Sequence, residues 1–146
     1  MSEKTKEILV PVDGSENSIR AAKFAMKMAS DMGVGLRMFY VFPSASLEVI
    51  AIAGLTRDEI DQAAETAAQR AFDKTRQGVG ENMIDQVEHE IAIGDPAEEI
   101  IRYTEDDHQI LVVIGRRGLS RMRSLMLGSV SDKVLRHSKC PVTVIT

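Results

Sequence analysis

The sequence contains a single cysteine, Cys140, which excludes an internal disulfide and any metal site built from several cysteines. No apolar run approaches the roughly 20 residues that a membrane-spanning helix needs. The first residues, Met1 to Glu7, are not followed by the apolar core of a signal peptide. We therefore expect a cytoplasmic protein with no membrane partner, in which Cys140 is a small buried hydrophobic residue.

Linkers, internal repeats and low-complexity segments are also absent from the 146 residues. The length fits one domain with a self-sufficient core, so we predict a single domain over residues 1–146. Hydrophobic residues make up 44% and charged residues 27% of the chain, which is ordinary for a globular protein. The net charge of −4 argues against a general nucleic-acid partner.

Two familiar phosphate-binding motifs are missing as well. The sequence has no G-x4-G-K-[ST] motif, which argues against the phosphate loop of the P-loop nucleotide hydrolases. It has no G-x-G-x-x-G motif after its first apolar run, which argues against dinucleotide binding. A nucleotide site in this chain must therefore be built differently.

Five apolar runs alternate with four helical patterns along the chain. The order βαβαβαβαβ predicts an α/β fold: an open, twisted, five-stranded parallel sheet of Rossmann-like type, with helices on both faces. Right-handed crossovers favour the strand order 3-2-1-4-5, with the third and fifth strands at the edges. The predicted strands cover residues 7–12, 36–42, 86–93, 110–114 and 141–145.

Capping residues predict where the helices begin. The first starts after Ser15 or Asn17, the second at the capping box Thr56–Glu59, the third at Asp95–Pro96, and the last spans 129–137. Residues 44–57 show no clear period, and their apolar side chains suit either a flap over a site or a partner surface. His89 stands on the mostly apolar face of the third strand without a second histidine nearby, so a structural role is favoured over a catalytic one.

In this strand order the direction of winding reverses between strands 1 and 4, and ligands bind at such a point, outside the carboxyl ends of the strands. Asp13 follows strand 1 and Gly115 ends strand 4, so both flank one predicted crevice. A carboxylate does not favour phosphate, so we expect Asp13 to contact a base or a ribose. The alternative is that Asp13 caps the first helix.

The segment from Gly115 to Ser131 resembles a phosphate cradle. Gly115 and Gly118 can take a positive φ and let backbone amides approach a ligand. Gly128 and Ser129 open the last helix, where free N–H groups and the positive end of the helix dipole favour an anion. Alternatively, the glycines only shape a loop and Ser129 only caps a helix.

Charge is distributed unevenly around this segment. Residues 81–107 contain ten acidic residues and one arginine, whereas residues 108–140 contain seven basic residues and one acidic residue. The basic side chains within the cradle can attract a phosphorylated ligand or can belong to a solvated loop. They are Arg116, Arg117, Arg121 and Arg123.

The glycine pattern G-x2-G-x9-G-[ST], together with Ile8 to Ser15 and Gly94-Asp95-Pro96, resembles the universal stress protein family over nearly the whole chain. The resemblance implies the fold above, a homodimer and, for the branch with this glycine pattern, ATP binding. It places adenine near Asp13 and Val41, with Pro11 and Val12 as the adjacent wall. It places ribose and phosphates among Ile114, Gly115, Gly118, Gly128, Ser129, Val130 and Ser131.

Two residues depart from the family pattern. Arg116 stands where a small hydroxyl residue is frequent, and it can add a phosphate contact or crowd the loop. Tyr40 stands where histidine is frequent.

Three functions are compatible with the sequence. The first is a regulatory module that senses or sequesters ATP, with Mg²⁺ held by the phosphates and no metal site formed by the protein alone. The second is a slow ATPase or phosphotransferase that uses Asp13, Ser129 or Ser131. The third is a dimeric adaptor without nucleotide, since the last strand is an unprotected sheet edge that can pair with a second copy. Its interface would comprise Val142, Thr143, Val144 and Ile145.

Overall fold

The computed structural model describes residues 4–43, 48, 50–117 and 127–146. The strands are β1 (Glu7–Pro11), β2 (Gly35–Pro43), β3 (Val87–Gly94), β4 (Ile110–Gly115) and β5 (Val142–Ile145). The helices are α1 (Glu16–Met32), α2 (Arg57–Val79), α3 (Pro96–Thr104) and α4 (Ser129–His137), with a 3₁₀ turn at Gly80–Asn82. Residues 48 and 50–52, in the stretch without a clear sequence period, are also helical.

The strands form one sheet in the order β3-β2-β1-β4-β5, and all neighbouring pairs are parallel. The predicted strand order and fold class are confirmed. Ile8 in β1 aligns with Leu36 of β2 on one side and with Leu111 of β4 on the other. β1 and β4 thus lie side by side, and the direction in which the chain winds reverses between them.

Helices cover both faces of the sheet, which explains the continuous apolar runs of the central strands. Ile8 and Val10 pack with α1 and α2, whereas Leu9, between them in β1, packs with α3 and α4. All three side chains are fully buried. A strand buried on both faces needs apolar residues at every position, because successive side chains point to opposite faces.

The helix starts follow the predicted capping residues. Ser15, and not Asn17, caps α1, because its hydroxyl accepts the Ser18 N–H at 3.2 Å. At α2, Thr56 and Glu59 form the complete capping box. At α3, Asp95 accepts the Glu98 N–H at 3.0 Å, ahead of a proline at the first helical position. These local hydrogen bonds determine the residue at which each helix begins.

The edge strand β3 is held against α2 by a ring contact. The imidazole of His89 packs against Phe72 in a tilted arrangement, with 4.6 Å between ring centroids and 53° between ring planes, and Arg76 donates to its Nε2. Because a guanidinium can only donate, Nε2 must be unprotonated, and the neutral ring carries its proton on Nδ1. His89 thus makes the packing contacts expected for a structural residue.

Two other expectations from the sequence concern Cys140 and membrane-spanning helices. Cys140 is buried, as predicted. Of the helices in the described part of the chain, none is both long and apolar enough to cross a membrane.

Candidate functional site

A cavity of about 530 Å³ opens at the carboxyl ends of β1, β2 and β4, where the winding of the sheet reverses. Eleven of the twelve residues that the sequence assigned to nucleotide binding line it, and the twelfth, Gly118, lies outside the described residues. The structure therefore brings the described members of the set to one place. They are Pro11, Val12, Asp13, Val41, Ile114, Gly115, Arg116, Gly128, Ser129, Val130 and Ser131.

The turn after β1 is organised by the Asp13 carboxylate. Its Oδ1 accepts the Ser15 N–H at 2.9 Å, and Gly14 between them has a φ of 82°, a conformation that favours glycine. Ser15 then caps α1, so the alternative that Asp13 caps this helix is wrong. Asp13 is only partly buried and lines the cavity.

Arg116 fastens the segment after β4 through its backbone. Its N–H donates to the carbonyl of Ile145 at 2.8 Å, which extends the pairing between β4 and β5. Its carbonyl accepts the Gly128 N–H at 2.8 Å and the Ser131 hydroxyl at 2.7 Å. These hydrogen bonds join the end of β4 directly to the start of α4, although residues 117–127 separate the two in the sequence.

Ser131 lines the cavity, but its hydroxyl is bonded within the protein. It is 2% exposed, and its hydroxyl donates to the carbonyls of Arg116 and Gly128. The hydroxyl proton is thus used to close the loop, and Ser131 positions the start of α4.

The role expected for Gly115, a positive φ that opens backbone amides to a ligand, is wrong. Gly115 belongs to β4 and is absent from the residues with positive φ. A Cβ at this position would lie 2.8 Å from the carbonyl carbon and oxygen of Asn17. A Cβ on Gly128 would lie 3.0 Å from the Arg116 carbonyl oxygen. Both glycines permit close backbone packing around the cavity.

Three helices begin at the cavity, and their N-termini differ. Those of α1 and α3 are capped by the side chains of Ser15 and Asp95. The N-cap of α4 is Gly128, which provides no side-chain hydrogen bond. The alternative that Ser129 only caps this helix is wrong, since Ser129 is its first helical residue. The α4 N-terminus therefore presents backbone donors to the cavity together with the positive end of its dipole.

Arg116 is also among the residues that line this end of the cavity. Its Nε is buried and has no hydrogen-bond partner within the part of the chain that the structure describes. Arg117 also lines the cavity, whereas Arg121 and Arg123 lie outside the described residues.

The β2 end of the cavity is aromatic and apolar. Phe39, Tyr40 and Val41 of β2 line it, and Val41 was expected here from the family resemblance. Burial, and then the negative charge of Asp13, raise the pKa of the Tyr40 hydroxyl. Tyr40 therefore stays protonated and able to donate at neutral pH.

Sequence reasoning missed several lining residues. Pro43 ends β2 at the same edge, so its position could have been read from the topology. Pro96 and Ile100, at the start of α3, line the cavity through the packing of α3 on the sheet, which depends on contacts between distant segments. The other lining residues missed are Ser18 and Leu127.

Comparison with known proteins identifies the family. Residues 4–146 match the universal stress protein family model. Universal stress protein YxiE of Bacillus subtilis is 30% identical over 145 residues, covering 95% of this chain and 97% of that protein. Universal stress protein UspA from Lactobacillus plantarum has a structure with a TM-score of 0.78 and 26% identity, covering 99% and 100% of the two chains.

Two more distant structures share the fold and contain adenine nucleotides. One is a universal stress protein in complex with cAMP, with a TM-score of 0.64 and 22% identity over 97% of both chains. The other is the universal stress protein from Archaeoglobus fulgidus in complex with dAMP, with a TM-score of 0.62 and 21% identity over 99% and 100% of the chains. The family match over residues 4–146, and the relative in B. subtilis that is 30% identical, show that this chain belongs to the universal stress protein family.

Proposed function

We propose that this protein binds ATP, with Mg²⁺ carried by the phosphates, and acts as a regulatory or sensing module in a stress response. The observation that carries the proposal is the α4 N-terminus, which lacks a side-chain cap at a cavity where the other two helix starts are capped. Free N–H groups and a positive dipole end bind phosphate well. The phosphates therefore belong at the β4–α4 end.

The opposite end of the cavity suits the base. Val12 is 4% exposed and Val41 8%, so this wall is apolar and well packed. An apolar cavity with a few fixed polar groups is the usual form of a small-molecule site, and about 530 Å³ lies within the usual size range. The Asp13 carboxylate can accept from the base amino group or a ribose hydroxyl, with the turn holding it in place.

The adenine nucleotides in the two related complexes support this choice of base. Among the described residues that line the cavity, Asp13 is the only acid. Nor do the described residues contain a group of three histidine, cysteine or acidic side chains suited to a metal. These features favour a bound Mg²⁺ carried by the nucleotide, and binding without fast hydrolysis.

The test uses the first residue of α4. Proline is well tolerated at this position and removes only an N–H that the helix leaves free. Gly128 before it has φ −64° and ψ 160°, the extended conformation that a residue preceding proline prefers. Ser129→Pro should weaken ATP binding about tenfold or more, the value of one hydrogen bond to a charged group.

Ser129→Ala is the matched control, because it removes the hydroxyl and keeps the amide. Isothermal titration with ATP and with adenosine should show that only Ser129→Pro loses affinity, and only for ATP. Equal ATP affinity in all three proteins would place the phosphates elsewhere, and a wild type that binds neither ligand would refute the proposed function.

We also propose that the protein is a homodimer joined through β5. This strand ends the sheet, and its residues Val142, Thr143, Val144 and Ile145 are half-buried. Two copies paired antiparallel along this edge would form a closed twofold interface. Exposed Phe24 and Leu135, on the two helices that pack on β5, would extend the apolar surface.

The hydrogen bonds of β5 supply a selective test. The carbonyls of Pro141 and Ile145 accept from β4, so by alternation the N–H of Val144 points away from β4. Val144→Pro should therefore disrupt pairing with a second copy while β4–β5 pairing persists. Light scattering should give a monomer for Val144→Pro and a dimer for wild type and Val144→Thr. A monomeric wild type would contradict this interface.

Two further sequence-based predictions remain as proposals: the chain acts as one domain over residues 1–146, and it works in the cytoplasm. Limited proteolysis that releases a stable smaller fragment would contradict the first. Cell fractionation tests the second.

A further inference from the structure

We propose that protonation of His89 opposes ligand binding in the cavity, so that the affinity of this protein for its nucleotide falls in acid. This inference rests on the proposed nucleotide site and specifies how that site is regulated. It starts from a chain of contacts that runs along α2 from the sheet edge to the cavity. At the sheet edge, His89 of β3 packs against Phe72, and Arg76 donates to its Nε2.

The same segment of α2 contacts the cavity wall at two points. Phe72 meets the ring of Tyr40, which lines the cavity, with 6.5 Å between ring centroids and 79° between ring planes. A Cβ on Gly14 would lie 3.4 Å from the Cδ of Lys74 and 3.9 Å from the α2 backbone. Helix α2 therefore lies directly behind the turn that holds Asp13 at the cavity.

The contact between His89 and Arg76 has two mutually exclusive states. The neutral ring accepts from the guanidinium at Nε2, whereas an imidazolium carries a proton on both nitrogens and cannot accept. Protonation would also place a second cation beside Arg76, and like charges in contact repel. The hydrogen bond must then break and the two side chains must separate.

The charged groups around His89 favour its neutral state. Burial, and then the charge of Arg76, lower the pKa of His89, and Asp73 acts weakly in the opposite direction. From β2, the other element packed on this side, the titratable group is Tyr40, which stays protonated because burial and a nearby carboxylate raise its pKa. Three charged residues of β2 and β3 lie on the opposite face of the sheet, where both acids pair with the arginine. They are Arg37, Glu88 and Glu90.

The packing of Phe72 links this charge change to the cavity. Phe72 is fully buried, and its ring contacts those of His89 and Tyr40. Close-packed side chains transmit a displacement to their neighbours, so parting His89 from Arg76 should shift α2 against the wall of the cavity. A ligand that binds the neutral state better must in turn oppose protonation of His89, because the coupling is reciprocal.

The sign of the effect follows from this linkage. Affinity should be full above the ordinary histidine pKa of about 6.5 and should fall as the pH drops through the lower pKa of the folded protein. Between pH 7.5 and pH 5.0, ATP affinity should fall about fivefold or more in wild type beyond any fall in His89→Gln. Proton uptake by ATP itself is common to both proteins and cancels.

Two further variants test the origin of the effect. Arg76→Gln removes the cation that protonation would oppose, so it should reduce the pH dependence of ATP affinity and raise the pKa of His89. His108→Gln removes an exposed histidine that lies outside α2 and β3, and it is the matched control. Isothermal titration at the two pH values should give the same ratio of affinities for His108→Gln and wild type.

A second measurement needs no change at His89. The chain has three histidines, so the His89 resonance is the one retained in both His108→Gln and His137→Gln, whose substituted side chains are exposed. Titration of the imidazole C–H signals by NMR should show that saturating ATP lowers the pKa of His89 further.

A His89 pKa that ATP leaves unchanged would overturn this inference while leaving nucleotide binding intact. The same pH dependence of ATP affinity in wild type and His89→Gln would do so as well. A wild type that binds no ATP at either pH would instead refute the proposed function itself.

Discussion

Gly115 lies where the end of β4 passes the start of α1, and that contact leaves no space for a side chain. A Cβ there would lie 2.8 Å from the Asn17 backbone, which cannot rotate aside as a side chain can. We expect Gly115→Ala to lower the free energy of unfolding by about 1–3 kcal/mol, the usual cost of overpacking. Urea denaturation measures this change.

Gly35 provides the matched control, because it also lies in a strand and has an ordinary φ, and a Cβ added to it would meet no atom within 4 Å. Gly35→Ala should leave stability unchanged or raise it slightly, since alanine reduces the freedom of the unfolded chain. Equal losses in the two variants would show that the Asn17 contact does not explain Gly115.

For individual residues, the sequence predicted which of them lie at the cavity, but not always the contact that places them there. The position of Gly115 at the end of a buried strand was readable from the apolar run before it. Its contact with Asn17 was not, because two segments about 100 residues apart in the chain determine it. The same holds for the buried hydroxyl of Ser131, whose acceptor on Arg116 depends on the path of the loop.

The pairing of α2 with the edge strand β3 depends on the charge of His89. Burial, and then the nearby Arg76, lower the pKa of His89, with Asp73 acting weakly in the opposite direction. The unfolded chain therefore binds a proton more readily than the folded protein, starting near the ordinary pKa of about 6.5. Stability is fully present above that pH and falls as the pH drops from there through the lower pKa of the folded state.

His89→Gln keeps a hydrogen-bond acceptor for Arg76 and removes the titration. The difference in unfolding free energy between pH 7.5 and pH 5.5 should be smaller in this variant than in wild type. His108 and His137 are exposed and present in both proteins, so they cancel in the comparison. Identical pH dependence in both proteins would show that His89 contributes nothing to it.

The helices and strands were the features of this protein that the sequence predicted best. Ser15, Thr56 and Asp95 each start a helix through a hydrogen bond to a residue three positions on, and such short-range patterns are visible in the sequence. The helical turn at residues 48 and 50–52 was not predicted, because that stretch has no regular spacing of apolar residues.

The whole molecule follows from the order of its elements, because right-handed crossovers between parallel strands leave few arrangements. The reversal between β1 and β4 was thus predictable, and so was the cavity at their carboxyl ends. The contribution of Pro96 and Ile100 was not, since these residues reach the cavity only through packing of α3 on the sheet.

A ligand in this cavity should therefore stabilise the whole fold, since it would contact β1, β2, β4 and the starts of α3 and α4 together. At a concentration 100-fold above Kd, ATP should add about 2.7 kcal/mol to the free energy of unfolding. For a chain of this size that corresponds to a rise in Tm of roughly 8 °C.

Differential scanning fluorimetry should show this rise in wild type and Ser129→Ala. At the same ATP concentration, Ser129→Pro should show about half of it, because a tenfold weaker Kd removes about 1.4 kcal/mol. An equal rise in all three proteins would mean that ATP stabilises the fold without using the α4 N-terminus.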